Sequence, residues 1–442
     1  MIFDFSFLLV LIQSFSAWFW SFWWLWVFLA LVLIAPQVWL AYVQEYFRRS
    51  IPYVVLELRL PREVRKSPRA MEQVFTNIHS LKNSQDNFQE KWYDGEVPNT
   101  FSFEMASFGG EIHFFVRVPQ RHKKIIEAGF YSQYQDIEIT EVPDYVSRFP
   151  STYRGIDEKG YNIFGNELVL SKEDVYPIRT YVDYEAVDEI KEVDPISGIL
   201  EVLAAIKPQE ELWLQLVCQP RVDDQIPEWV KKGETVVDDI KGKSQQKVNP
   251  VTGEVLFRFP SPGETEAMKA IDRTISKPAF FTVIRYIYFS PKEIFSSNFG
   301  QRGLFAAFNH YATETFNKFR YNVTVWTRAN IWYWPHLFPK HRNRVRKERV
   351  VARYRRRAVY DDIFFAQLLD LNVFDWGLGT YNNARYKRIT LNTEELATLY
   401  HPPTYLVLTG PMTKRVESRR MGPPAGMEIY GSEEDEKLPG VS

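Results

Sequence analysis

"FSFEMASFGGEIHFFVRV" (residues 101–118) alternates apolar with polar or small side chains on both sides of Gly109-Gly110. A period of two broken by two glycines predicts a β-hairpin. Upstream, "YVVLELRL" (53–60) sets Leu56, Leu58 and Leu60 against Glu57 and Arg59, a half-buried strand. Between the two, Met71, Val74, Phe75, Ile78 and Leu81 recur at helical spacing. Downstream, residues 120–134 read as a second helix with Ile125, Ile126 and Phe130 inward, and "DIEITEV" (136–142) as a closing strand. The order β-α-β-β-α-β is the ferredoxin-like plan, here over residues 50–145.

The same order returns over residues 146–330. "VYPIRTYV" (175–182) reads as its first strand. Asp194-Pro195 then opens a helix carrying Ile196, Ile199, Leu200, Leu203 and Ile206. "ELWLQLVC" (211–218) and "FFTVIRYIYF" (280–289) follow as central strands. A helix bearing Leu304, Phe305, Phe308, Ala312 and Phe316 precedes a last strand, "YNVTVW" (321–326). Residues 220–276 form an insertion, with helices near 226–241 and 264–275 around a Pro/Gly-rich turn region. The expected class is therefore α+β, with an N-terminal transmembrane helix (1–49) before two tandem ferredoxin-like domains, the second carrying the insertion.

The anchor rests on residues 5–44, which hold no charge. That run exceeds the roughly 20 apolar residues a bilayer needs. Trp18, Trp20, Trp23, Trp24 and Trp26 crowd one end, and Trp39, Tyr42 and Tyr46 mark the other, as in the aromatic belts of a spanning helix. Arg48 and Arg49 follow at once, so the positive-inside rule places the C-terminal body in the cytoplasm and the N-terminus outside. A cleaved signal peptide fits less well, because a basic leading region is missing and the apolar run is too long.

The bulk numbers narrow the chemistry. At −1, the net charge gives no global pull towards nucleic acid. The single cysteine, Cys218, sits in an apolar run and reads as a packed thiol. A G-x-x-x-x-G-K-[ST] loop and a G-x-G-x-x-G turn are both missing from the sequence, and the seven histidines form no zinc motif. His113, beside Phe115 on a strand, reads as partly buried. The acidic run 183–194 reads as a solvated linker. The expectation is a non-enzyme without a cofactor or metal.

"KHRNRVRKERVVARYRRR" (340–357) carries ten Lys/Arg against one Glu. Arg342, Arg344, Arg346, Lys347, Arg349, Arg353, Arg355, Arg356 and Arg357 are its candidate contact residues, within a basic and aromatic segment at 331–388. Three readings stand side by side. The helix lies on anionic lipid, grips a nucleic-acid backbone while aromatics stack on bases, or packs as a structural or partner face.

The final segment, 389–442, holds a short helix, a linker and an acidic tail. In "ITLNTEELATLYHPP" (389–403), Asn392 or Thr393 is positioned as N-cap, Glu394 and Glu395 charge the first turn, and Pro402-Pro403 stops the helix. This stretch resembles one that closes the N-terminal region of bacterial membrane ATPases similar to type IV secretion coupling proteins and conjugative DNA translocases. The resemblance holds at Leu391, Thr393 to Leu399, His401 and Pro403, and departs at Asn392, Tyr400 and Pro402. "IKPQEELWLQLVCQP" (206–220), "FTVIRYIY" (281–288) and "TKRVESRRMGPPAG" (413–426) resemble other parts of that region and its linker. In the resembled proteins a nucleotide-binding domain follows, whereas this sequence stops. The resemblance implies a membrane-anchored, non-catalytic component that docks a separate P-loop ATPase through Thr393, Glu394, Glu395, Leu396 and His401. Lipid, DNA and a further copy of the chain are the other partners considered. The alternative is a stand-alone membrane-bound nucleic-acid-binding protein using residues 340–357.

Overall fold

The computed structural model describes residues 20–61, 64, 66–184, 194–222, 225–243, 247–248, 255–256, 260–323, 325–330, 332, 336, 338–357, 359, 388–404 and 415–416. Trp18, most of the acidic run 183–194, and the linker and tail apart from residues 415–416 lie outside them.

Helix α1 (Trp23–Ser50) is long and apolar enough to cross a membrane, and its apolar window is not covered by the rest of the chain. It runs through Pro36 and buries only Val43 and Gln44, where it meets the body. Strand β1 (Tyr53–Pro61) follows, then α2 (Arg69–His79), a π-helical turn at Glu90–Asp94, β2 (Phe101–Phe108), β3 (Glu111–Pro119), α3 (Lys123–Gln133) and β4 (Glu138–Val142). The hairpin forms where the sequence places it. Gly109 and Gly110 both take positive φ (63° and 98°), which a two-residue hairpin turn of this hand requires. A Cβ on Gly109 would also lie 2.7 Å from the Pro208 carbonyl oxygen.

The chain continues through α4 (Tyr153–Glu158), β5 (Tyr161–Leu170), α5 (Ser197–Ala204), β6 (Glu211–Pro220) and α6 (Ile226–Lys243). The short strands β7 (Lys247–Val248) and β8 (Val255–Leu256) pair with each other. Next come α7 (Pro262–Ile275), β9 (Ala279–Pro291), α8 (Ser297–Phe308), β10 (Phe319–Tyr321), α9 (Pro339–Arg356), β11 (Ile389–Asn392), α10 (Thr393–Leu399) and β12 (Arg415–Val416).

The result is a mixed α+β body around one large, mainly antiparallel sheet. Its order is β10–β5–β9–β6–β2–β3–β1–β4, with β11 continuing the β5 edge of β9 and β12 pairing parallel to the end of β1. The halves expected as two domains meet edge to edge. Strands β2 and β6 pair from Phe101 opposite Cys218 to Phe108 opposite Glu211. One sheet therefore runs through both.

Several sequence expectations need correction. The strand that opens the second half is Tyr161–Leu170, not 175–182. Pro177 removes a backbone donor from 175–182, and the segment is held by side chains instead. Ile178 N–H donates to Glu395 (3.0 Å) and Tyr181 N–H to Thr398 Oγ1 (3.0 Å). The last strand is three residues, Phe319–Tyr321, not 321–326. Helix α8 ends at Phe308, so Ala312 and Phe316 are not on it. Ile125, expected inward, is exposed, while Ile126 and Phe130 are buried.

The sheet's two faces differ in chemistry. On one, side chains such as Leu56, Phe103, Phe114, Leu214 and Ile284 form the main apolar core with α2, α3, α5, α8 and α10. On the other, aromatics including Phe115, Tyr145, Phe149, Trp213 and Phe289 pack beneath α9 and α4.

Candidate functional site

The α9 face carries a polar row that the register assembles. Glu104 on β2 is opposite Gln215 on β6, Gln215 opposite Arg285 on β9, and Arg285 opposite Glu167 on β5. All four are buried. Polar groups removed from water need partners, and the C-terminal turn of α9 supplies several. The last carbonyls of a helix lack a full set of backbone donors; that of Arg353 accepts a long backbone bond from the Arg357 N–H (3.3 Å). Arg285 Nη1 donates to the Arg353 carbonyl (2.8 Å) and Gln215 Nε2 to that of Tyr354 (3.1 Å). The sheet thus caps the helix, and the Arg285 cation sits at the negative end of its dipole.

Arg357 completes the site. It has a left-handed backbone (φ 48°), the position where glycine usually ends a helix. Glycine here would lose the side chain. Arg357 Nε and Nη2 donate to the two Glu104 oxygens (2.6 and 2.9 Å), and Nη1 and Nη2 to the two Asp144 oxygens (2.6 and 2.9 Å). Such forked geometry makes strong charge-assisted bonds. Glu104 also accepts from Ser102 (2.5 Å), Tyr145 (2.6 Å) and Gln215 (3.0 Å). Burial alone pushes the Glu104 carboxyl up, but the Arg357 charge and these bonds outweigh it, and the group titrates below its ordinary range. Asp144 behaves in the same way. Burial drives the phenols of Tyr145 and Tyr354, 2.7 Å apart, well upward.

The neighbouring residue faces the other way. Arg356 Nη2 donates to Glu45 on α1 at 2.9 Å. Two further contacts hold the same end of α1. The Trp39 indole N–H donates to the Trp92 carbonyl (2.8 Å), and Gly95 is so close that a Cβ there would lie 2.5 Å from the Val43 backbone. Glu45, Arg356, Arg357 and Glu104 therefore form a continuous chain of contacts from the apolar helix to the centre of the sheet.

This geometry redraws the expected basic surface. Arg342, Arg346, Arg349, Arg353 and Arg357 are buried, so they cannot lie on lipid or on a nucleic-acid backbone. Arg346 Nη1, for example, donates to the Trp326 carbonyl (3.3 Å). Arg344 is exposed, while Lys347, Arg355 and Arg356 are partly so. Arg355 donates to the Val146 and Phe149 carbonyls (2.6 and 2.5 Å) and Lys347 to Asn162 (2.5 Å). Burial lowers the Lys347 ammonium to about 8, with Lys292 adding to the effect and Asp157 opposing it. The sequence signal missed was a single polar residue at the centre of each of several apolar strands.

The expected docking helix is also interior. Asn392 and Glu395 form a capping box, with the Glu395 N–H donating to Asn392 (2.8 Å) and the Asn392 N–H to Glu395 (2.9 Å). Yet Thr393, Glu394, Glu395, Leu396 and His401 are all buried, which rules them out as a face presented to another protein. Lys277 Nζ joins Glu394 (2.7 Å) to Glu72 on α2 (2.6 Å). His401 lies 2.8 Å from Asp194, which stands three residues before α5; the helix is capped by Ile196 and starts at Ser197, not at the expected Asp194-Pro195. Burial pushes Glu395 up to about 8, against the pull of the Asn392 and Ile178 N–H groups.

Of the expected membrane-interface residues, Trp20 is exposed just before α1, Trp23, Trp24, Trp26 and Trp39 are exposed along it, and Arg48 and Arg49 close it. A cleft of about 390 Å³ is lined by Glu57, Phe108, Glu111, His113, Phe115 and Arg148 among others. In it His113, partly buried as expected, lies 2.7 Å from Glu57.

Residues 44–409 match the family described as Domain of unknown function (DUF8128), and the chain belongs to that family. The match begins where α1 enters the body and takes in strands β1 to β11, α9 and α10. No curated protein matches the sequence.

Proposed function

We propose that this member of the family is a membrane-anchored, non-enzymatic scaffold subunit of a translocation machine of the type IV secretion or conjugation kind, working with a separate P-loop ATPase. The observation that carries the anchoring is the clamp on α1 at Trp39, Val43 and Glu45. A leader removed by cleavage has no use for an end built into the body. Arg48 and Arg49 at that end favour a body on the cytoplasmic side of a bacterial inner membrane, with one span. We read the sheet as two ferredoxin-like units, β1–β4 and β5, β6, β9 and β10. Each has its strands in the order 4-1-3-2, and the second strands join the units.

The translocation role rests on the sequence resemblance at 206–220, 281–288 and 391–403. Because residues 393–401 are interior, the ATPase has to meet another face. The alternative, a stand-alone nucleic-acid-binding protein, loses much of its support with five of the nine basic residues turned inward. Few phosphate contacts then remain to give useful affinity.

The test is affinity purification of the full chain in detergent, with mass spectrometry of what accompanies it. A stoichiometric P-loop ATPase is the expected result. Recovery of the chain alone, or with nucleic acid only, overturns the proposal.

A further inference from the structure

We infer that the turn around Phe88–Asp94 is a second membrane contact, which seats the rings of Phe88, Trp92 and Tyr93 in the lipid headgroup layer beside α1. The inference rests on the reading of α1 as a membrane anchor.

Depth is the first argument. Trp39 precedes the first charged residue of α1, Glu45. From Trp23 to Trp39 the helix rises about 24 Å at roughly 1.5 Å per residue, against a hydrocarbon core about 30 Å thick. Trp39 is thus placed near the inner boundary, where an indole N–H ordinarily finds a headgroup or water. Here its partner is the Trp92 carbonyl, so the turn itself has reached that level. Gly95, with φ 66° and its Cα against the Val43 backbone, keeps the turn tight on the helix.

Chemistry is the second. Phe88 and Tyr93 are 69% and 71% exposed, and Phe88 stacks on Trp92 with ring centroids 5.9 Å apart. Large aromatic rings grouped on one exposed turn mark an interaction surface. They continue the collar of exposed Trp39, Tyr42 and Tyr46 on α1. Glu90 is engaged within the turn, accepting from the Asp86 N–H (2.8 Å) and the Asn87 side chain (2.7 Å). Lys91 offers one cation, while Asp86 and Asp94 flank the rings. The contact is therefore aromatic rather than electrostatic and needs little anionic lipid.

The experiment uses the full chain in vesicles of phosphatidylcholine with a minor share of phosphatidylglycerol. Cys218 is buried, burial raises its thiol, and a Cys218→Ser background removes it altogether. Single variants Phe88→Cys and Tyr93→Cys receive a nitroxide label, and collision with oxygen is compared with collision with a water-soluble nickel complex. Leu33→Cys, within α1, and Ile125→Cys, exposed on α3, serve as references. The expected result places labels 88 and 93 at the headgroup boundary, between the deep reading at 33 and the aqueous reading at 125, with little change when phosphatidylglycerol is omitted. Aqueous readings at 88 and 93 with a deep reading at 33 overturn the inference and leave the anchor standing. Shielding from both reagents overturns it in favour of a protein partner. An aqueous reading at 33 removes the anchor reading itself.

Discussion

The two faces of the sheet are buried to a similar degree but held by different forces. On the apolar face Phe103 packs against Phe75 and Tyr400, with ring centroids 4.6 and 5.3 Å apart. Such contacts are non-directional and tolerate side chains of similar volume. On the other face the bonds are directional: Arg357 and Gln215 donate to Glu104, and Arg285 Nη1 donates to Gln215 (3.3 Å). A buried ionic network tolerates no missing member, because each loss leaves an uncompensated polar group. The difference assigns the faces different tasks. The apolar face supplies bulk stability, while the ionic face sets one register for α9 and so places Arg356 against α1.

Removing the centre of either face is expected to have the largest effect. Arg357→Ala leaves Glu104 buried without its cation and should cost about 3–5 kcal/mol, read from urea unfolding of the purified chain. Phe103→Ala, on the apolar face, should cost a similar 3–5 kcal/mol through its cavity. Acid separates the two. Glu104 and Asp144 titrate below their ordinary values. The stability they contribute is present above those ordinary values and is lost as pH falls through the folded-state ones. Phe103→Ala should keep that acid limb, and Arg357→Ala should flatten it. A double variant Glu104→Leu/Arg357→Met sharpens the point. An isolated buried pair is often replaced at little cost, but here Ser102, Tyr145 and Gln215 lose their acceptor. Full recovery in the double variant would show that the network behaves as a simple pair.

A second pH response belongs to α10. Glu395 titrates near 8, raised by burial. Between its ordinary value of 4.5 and 8 the unfolded chain binds fewer protons than the folded one, so this group makes stability fall as pH rises across that window. Glu395→Gln should remove the slope, measured as thermal midpoint against pH. An unchanged slope would place the titration elsewhere.

The sequence made one face far more legible than the other. Alternation and apolar runs in 53–60, 101–118, 211–218 and 280–289 identified five strands, and helical spacing at Met71 to Ile78 identified α2. Those patterns follow from local geometry and survive folding. The ionic row was not legible. Glu104, Gln215, Arg285 and Glu167 lie far apart in sequence, and each alone looks like an ordinary polar position on a strand. Only strand register lines them up. The same gap explains 340–357. Its helicity was readable, but ten basic residues look like a solvated surface until partners such as Glu104, Asp144 and the Trp326 carbonyl are known to surround them. At 175–182 an apolar run imitated a strand, although its buried donors turn to Glu395 and Thr398.

The smallest expected energy is at the link between the ionic face and α1. Arg356 and Glu45 are both partly exposed, 28% and 36% by side chain. Breaking such a pair with Glu45→Gln should cost about 0.2–1 kcal/mol of body stability, within the error of many unfolding curves. The body's fold does not depend on the contact, because the Arg357 network and Gly95 packing remain. What the pair restrains is the angle between α1 and the sheet. A nitroxide pair, one label on exposed Leu33 and the other on exposed Ile125, should therefore give a broader distance distribution in Glu45→Gln than in the parent, with the same mean. Equal widths would mean that the Trp39–Trp92 bond and Gly95 hold the helix without help, and the ionic face would then end at Arg357.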